Sequence, residues 1–242
     1  MTTYRIAVLK LFTAALIWGL SFTLARWSLE SFTTSQLLFW RFLLAFVIGE
    51  ALFFIFNRKN FKRSNSDIKI ARNTGIFLGL SLLFQIHGLN FTTATNSAFI
   101  TATYVVMIPF IAYILFKQKI QKHDITLGAL ALGGMLLLLN VFKDSNFSFA
   151  NFNYGDALTL GSAATAAVQI ILIGIFSKQC VSPFRFNNYQ TFWAFIACSP
   201  FFLYEIQTKN IGLWPEHVTS LALCGMILLV LTVSILAFYL QI

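Results

Sequence analysis

An all-α bundle of membrane-spanning helices is the fold class this sequence predicts, and three observations predict it. The 242-residue chain is 58% hydrophobic and only 10% charged, where a soluble domain carries about 25% charged residues. Phe alone supplies 28 residues, more apolar surface than a charged exterior could hide. Eight apolar stretches, each close to the roughly 20 residues a spanning helix needs, follow one another with short connections. Water-soluble enzymes, disordered tails and disulfide-stapled secreted domains are set aside on these grounds.

The stretches run Leu11–Leu29, Ser35–Phe56, Ile70–Leu89, Ala94–Phe116, Ile125–Phe142, Ala157–Ser177, Asn188–Tyr204 and Val218–Ile242. Arg5 and Lys10 ahead of the first would also suit a signal peptide. Seven further spans follow it, so it reads as an uncleaved first helix. Most of the stretches are apolar all round, as helices in lipid are. Backbone groups find no water partner in lipid, which leaves helices as the local structure. Period-two alternation is absent over these lengths, which disfavours a β-barrel.

Charge orients the bundle. With the N-terminus in the cytoplasm, thirteen of the 17 Lys and Arg residues fall on inner segments and only Lys143 and Lys209 on outer ones; Arg26 and Arg41 lie within spans. That is the positive-inside pattern. The net charge of +9 is therefore a topology signal rather than a nucleic-acid footprint. Trp27, Trp40 and Trp214 fall near the expected outer boundary, where indole rings prefer to sit. The localisation expected is the plasma membrane, multi-pass. Cys180, Cys198 and Cys224 have no metal-ligand or redox spacing and read as small apolar residues.

The polar stretch at 143–155 divides the chain into residues 1–142, with five spans, and 156–242, with three. After an odd number of helices a repeated block enters the membrane from the opposite side, the condition for inverted repeats. No basic residue flanks the inner end of the last span.

Several segments resemble the EamA family of the drug/metabolite transporter superfamily. AALIWGLSFTLAR (Ala14–Arg26) is similar to its Trp-Gly opening, and LLFWRFLLA (Leu37–Ala45) to its intramembrane Arg-Phe signature. The run Gly88–Phe116 resembles its fourth helix, Leu127–Leu138 its fifth, and Tyr154–Ala167 the Gly-Asp start of its second repeat. The resemblance implies ten helices in two inverted five-helix halves, and a secondary transporter of a small metabolite or drug-like solute working by alternating access. The chain departs from it where Lys117-Gln118-Lys119 replaces a frequent Glu, and where helices nine and ten would follow Ile242. A truncated, transport-incompetent product is the alternative expectation.

Within the spans, polar and aromatic residues mark candidate positions on a solute path: Trp18, Arg41, Gln85, Asn96, Thr101, Tyr104 and Gln169. Arg41 lies some 10 Å into its span at 1.5 Å per residue. An ion there costs at least ~2.5–3.5 kcal/mol on insertion scales, so it is either a solute-anion or gating contact, or a snorkelling or paired Arg. Asn96, Ile100 and Tyr104 share a face at i, i+4, i+8. That face lines a path or makes interhelical hydrogen bonds. Glu50 is a candidate coupling carboxylate or a partner for an inner-side cation. Pro109 lacks a backbone donor and is expected to kink its helix. Gly75 and Gly79, and the trio Gly128, Gly133 and Gly134, suit close helix packing. Asn90 and Asn146 begin glycosylation sequons on outer segments. Walker A, HExxH and CxxC motifs are absent from the sequence, so neither an enzyme, nor a metal, nor a cofactor is expected. A small solute and the lipid bilayer are the expected partners; a homodimer stays open.

Overall fold

The computed structural model describes residues 2–57, 63–138 and 153–241. Helix α1 spans Thr2–Ser28, α2 Thr34–Phe56 and α3 Asp67–Gly88. The fourth stretch divides into α4 (Ala94–Ala102) and α5 (Tyr104–Phe116), and α6 covers Lys122–Leu138. Then come α7 (Tyr154–Phe176), α8 (Pro183–Lys209) and α9 (Ser220–Leu228), a π-helical segment Leu229–Ala237, and α10 (Phe238–Gln241). Lys143, the Asn146 sequon and the loop residues Arg58, Lys59 and Lys62 lie outside the described residues.

Side-chain capping starts α2, α4, α7, α8 and α9. Thr33 and Gln36 form a reciprocal capping box at α2, and Asn153 and Asp156 form one at α7. Each satisfies two backbone donors that the first helical turn leaves open. Ser182 caps α8, with Pro183 in the first turn, where its missing N–H costs nothing.

Five helices are long and apolar enough to cross a membrane: Arg5–Ser28, Thr34–Phe56, Ala94–Phe116, Tyr154–Gln179 and Ser220–Leu240. The expectation of eight such spans is corrected to five by this measure among the described residues. Helices α3 and α8 are long, at 22 and 27 residues, but too polar. The reason is their place in the bundle. Helix α3 lies between α7 and α8, so Thr74, Ser81, Asn187, Asn188 and Gln190 are buried against protein rather than lipid.

Small residues set the α3–α8 spacing. A Cβ on Gly75 would stand 2.6 Å from the Gln190 carbonyl oxygen, and one on Gly79 2.9 Å from that of Ala194. The contacts advance together along both chains, so the two helices run parallel. Gly133 and Gly134 meet nothing within 4 Å, so the close packing expected of them is not observed. Gly128 makes only ordinary contact with Val106.

Polar contacts gather the connections at two ends of the bundle. At one end Asn90 donates to Thr34 Oγ1 (2.9 Å), Thr92 to Asp156 Oδ1 (2.6 Å) and Trp40 Nε1 to the Leu213 carbonyl (2.8 Å). Trp40 and Trp214 meet edge-on there, at 5.3 Å between centroids. At the other end the buried Asp67 carboxylate accepts the backbone N–H groups of Val181 (2.9 Å) and Ser182 (3.0 Å). Burial pushes the neighbouring Cys180 thiol above its usual range, and the Asp67 carboxylate adds to the effect. A core of Leu24, Phe42, Leu78, Cys198, Met226 and Val233 joins α1, α2, α3, α8, α9 and the π segment between these ends.

Candidate functional site

The helices enclose a cavity of about 330 Å³, within the size range of small-molecule sites. Helix α1 contributes Trp18 and Phe22, α2 Arg41, α3 Ser81 and Gln85, and α4 and α5 Thr101 and Tyr104. Helix α7 contributes Gln169, and the last helix Val233 and Phe238. The wall is mainly apolar, with a few polar groups converging on it.

Among the described residues, Arg41 is the only charged residue on that wall. It is 1% exposed. Its Nε donates to Ser234 Oγ at 2.9 Å, and its guanidinium carbon stands 5.7 Å from the centroid of the Phe42 ring. Nη2 is buried without a hydrogen-bond partner among the described residues. No carboxylate forms an ion pair with Arg41 there: the two ion pairs are Arg185–Glu50 and Lys209–Glu205. Trp18 Nε1 is a second buried donor without a partner, and its ring lies 6.0 Å from that of Phe238.

The amides are engaged. Gln85 Nε2 donates to Thr101 Oγ1 at 3.1 Å, and Gln169 Nε2 donates to Gln190 Oε1 at 3.1 Å. Ser81 reaches α7 through a 3.1 Å hydroxyl contact with Ser162.

Six of the seven path residues expected from the sequence therefore line one cavity. Asn96 does not: it is exposed. Ala98, Thr101 and Ala102 form the inward face of α4, and Asn96 sits two residues before Ala98, about 200° around the helix. The face assumed to run from Asn96 to Tyr104 is also interrupted. At Thr103 the chain makes short-range bonds, from Thr103 N–H to Ile100 O (3.1 Å) and from Val106 N–H to Thr103 O (3.0 Å). The interruption falls there and not at Pro109, which lies inside α5.

Glu50 lies away from the cavity, on the α2–α8 contact. Its Oε2 accepts from Arg185 Nη2 at 2.9 Å, and its Oε1 accepts from Arg185 Nε at 3.2 Å and Asn188 Nδ2 at 2.8 Å. Arg185 also stacks over the rings of Phe53 and Tyr189. Of the two expectations for Glu50, partner to a cation is the one this pair matches; the sequence did not name Arg185 as that cation, the two being 135 residues apart. Sequence reasoning missed Ser234 and the π segment, since Leu229–Ala237 is apolar throughout except for Thr232 and Ser234. A wide π turn is a frequent accompaniment of functional sites. Here Asn187 Nδ2 donates to the carbonyl oxygens of Ser234 (3.3 Å) and Ile235 (3.5 Å) within it.

Comparison with known proteins follows this geometry. The sequence profile of the EamA-like transporter family matches residues 5–140. An uncharacterized transporter of Archaeoglobus fulgidus is 32% identical over 221 residues, covering 91% of this chain. The uncharacterized transporter YetK of Bacillus subtilis is 24% identical over 203 residues, covering 83%. The chain spans 64% and 59% of the lengths of these two relatives. One crystal structure aligns over 97% of this chain and 77% of its own at a TM-score of 0.69 and 16% identity, which speaks for the fold alone. The profile match covers more than half of the chain and falls on the helices that build most of the cavity wall, and on it the chain belongs to the EamA-like transporter family.

Proposed function

We propose that this multi-pass membrane protein is a secondary transporter that takes a small metabolite or drug-like solute into the cavity and exposes it alternately to the two sides of the membrane. One observation carries the reading. The cavity wall is drawn from both parts of the chain: Trp18, Arg41, Gln85, Thr101 and Tyr104 from residues 1–142, and Gln169, Val233 and Phe238 from 156–242. Secondary transporters bind solute at the junction of two repeats that rock against each other. In this reading the two parts are inverted repeats joined at 143–155, and the N-terminus is cytoplasmic. The grouping of the basic segments around Lys69, Arg72, Lys178 and Arg185 supports that orientation. Membership in a transporter family sets enzyme chemistry aside.

Glu50 remains a candidate for coupling, but its bidentate pairing with Arg185 favours a clamp between α2 and α8. The interruption at Thr103 is the better-supported flexing point on the α4–α5 wall, with Pro109 serving to weaken the helix beyond it.

Flux through proteoliposomes carrying the purified chain tests the proposal. Saturable uptake of at least one solute from a panel of amino acids, nucleosides, amphipathic amines and organic acids is expected. A folded protein that moves none of them contradicts it.

A further inference from the structure

We propose that the solute is an organic monoanion: an oxyanion group, carboxylate-like, binds Arg41, and an apolar body lies among Trp18, Phe22 and Phe238. The inference rests on the transporter reading and narrows it to a solute class.

The cavity wall carries an unbalanced charge among the described residues. Arg41 is buried on the cavity wall with one guanidinium nitrogen unpartnered. A buried ion without an opposite charge is strongly disfavoured. Among the described residues no acid lines the cavity or forms an ion pair with Arg41, and four of the acids are committed elsewhere. Glu50 is held by Arg185, Asp67 by two backbone N–H groups, Asp156 by the α7 capping box and Thr92, and Glu205 by Lys209. Ser234 takes only Nε, which leaves the Nη edge for an oxyanion. Trp18 Nε1 adds a second buried, unpartnered donor on the same wall.

The solute's charge follows from the same groups. Among the described residues the wall carries one cation and no acid. An ammonium would meet a guanidinium with nothing to offset the repulsion, and a neutral solute would leave Arg41 unpaired. A dianion would bring one negative charge that the wall does not match. A single carboxylate satisfies Arg41 with charge-assisted hydrogen bonds, strengthened by the low dielectric of a largely apolar cavity. The aromatic and aliphatic remainder of the wall suits an apolar body.

Binding of three near-isosteric probes to the full chain in neutral phospholipid nanodiscs tests this: phenylacetate, phenylacetamide and phenylethylammonium, titrated calorimetrically near neutral pH. Phenylacetate is expected to bind at least about tenfold more tightly than the amide, a difference one charged hydrogen-bond pair supplies. Arg41→Gln is expected to abolish that preference and Arg41→Lys to keep part of it. Trp18→Phe, which removes the indole N–H together with part of the apolar wall, is expected to weaken phenylacetate more than the amide. Equal binding of the three probes, a preference for the ammonium, no binding of any, or a carboxylate preference that survives Arg41→Gln would overturn the inference. Flux separates this from failure of the transporter reading. Transport of neutral or cationic solutes alone keeps the transporter and removes the anion site, whereas a folded protein with no flux of any class removes both.

Discussion

Arg41 of α2 donates its Nε hydrogen to Ser234 Oγ across 2.9 Å, joining two residues 193 positions apart in the chain. The bond holds the guanidinium against the π segment and leaves Nη2 without a hydrogen-bond partner among the described residues, on a side chain that lines the cavity. Arg185, the other buried arginine of the described core, differs in one respect: it has a carboxylate partner, Glu50.

That difference predicts opposite effects on stability. Arg185→Met leaves Glu50 buried without its cation and is expected to cost about 3 kcal/mol, the lower end of the range for a broken buried pair because Glu50 keeps some exposure. Arg41→Met removes a charge that nothing offsets, and is expected to leave stability unchanged or raise it by ~1 kcal/mol while removing solute binding. Unfolding titrations of both variants in one detergent check the contrast.

The Glu50–Arg185 pair also predicts coupling between the two sites. Glu50→Arg and Arg185→Glu are each expected to destabilise strongly. The double exchange is expected to recover at least about 1 kcal/mol relative to the sum of the single changes. A double-mutant cycle measures this directly, and flux at several pH values in Glu50→Gln tells a clamp from a coupling carboxylate. A clamp changes protein stability and leaves the pH profile of flux in place.

The glycines divide in the same way. Gly79→Val drives a branched side chain into the Ala194 backbone 2.9 Å away, and a loss of about 1–3 kcal/mol is expected from overpacking. Gly133→Ala enters open space within α6, and a gain approaching 1 kcal/mol is expected from helix propensity. Thermal unfolding midpoints of the two variants should move in opposite directions.

On α4, Asn96→Ala is expected to leave flux unchanged, because the side chain is exposed and faces away from the cavity. Thr101→Val removes the acceptor of the Gln85 amide at 3.1 Å. It frees that side chain in the cavity, and a several-fold change in apparent affinity is expected, with expression and fold retained. Concentration-dependent uptake of the two variants side by side reads the difference.

These positions show what the sequence made legible. Polar residues within apolar runs must face protein or a cavity, and Trp18, Arg41, Gln85, Thr101, Tyr104 and Gln169, singled out in the sequence, lie on one cavity wall. That rule failed at Asn96, where a residue near a helix end reaches solvent, and across Thr103, where a local change of bonding breaks the periodicity. The apolar stretches located the helices, but not which of them are apolar enough to cross a membrane, because the polar residues of α3 and α8 are satisfied by partners distant in the chain. Asp67 lies between the second and third apolar stretches of the sequence. Only the fold brings the backbone of Val181 and Ser182 to it. The π segment left no trace, since its bonding pattern depends on Asn187 and Arg41 packed against it.

The central claim is that the solute occupies this cavity, and Gly19 offers the most direct test. Gly19 lines the cavity, and a Cβ there meets nothing within 4 Å, so a larger side chain at this position starts into open space. Counterflow of a transported solute in proteoliposomes, compared between the native chain and Gly19→Trp at matched unfolding midpoint, is the measurement. The account predicts that Gly19→Trp folds normally and loses counterflow. Undiminished counterflow with the cavity filled would contradict it.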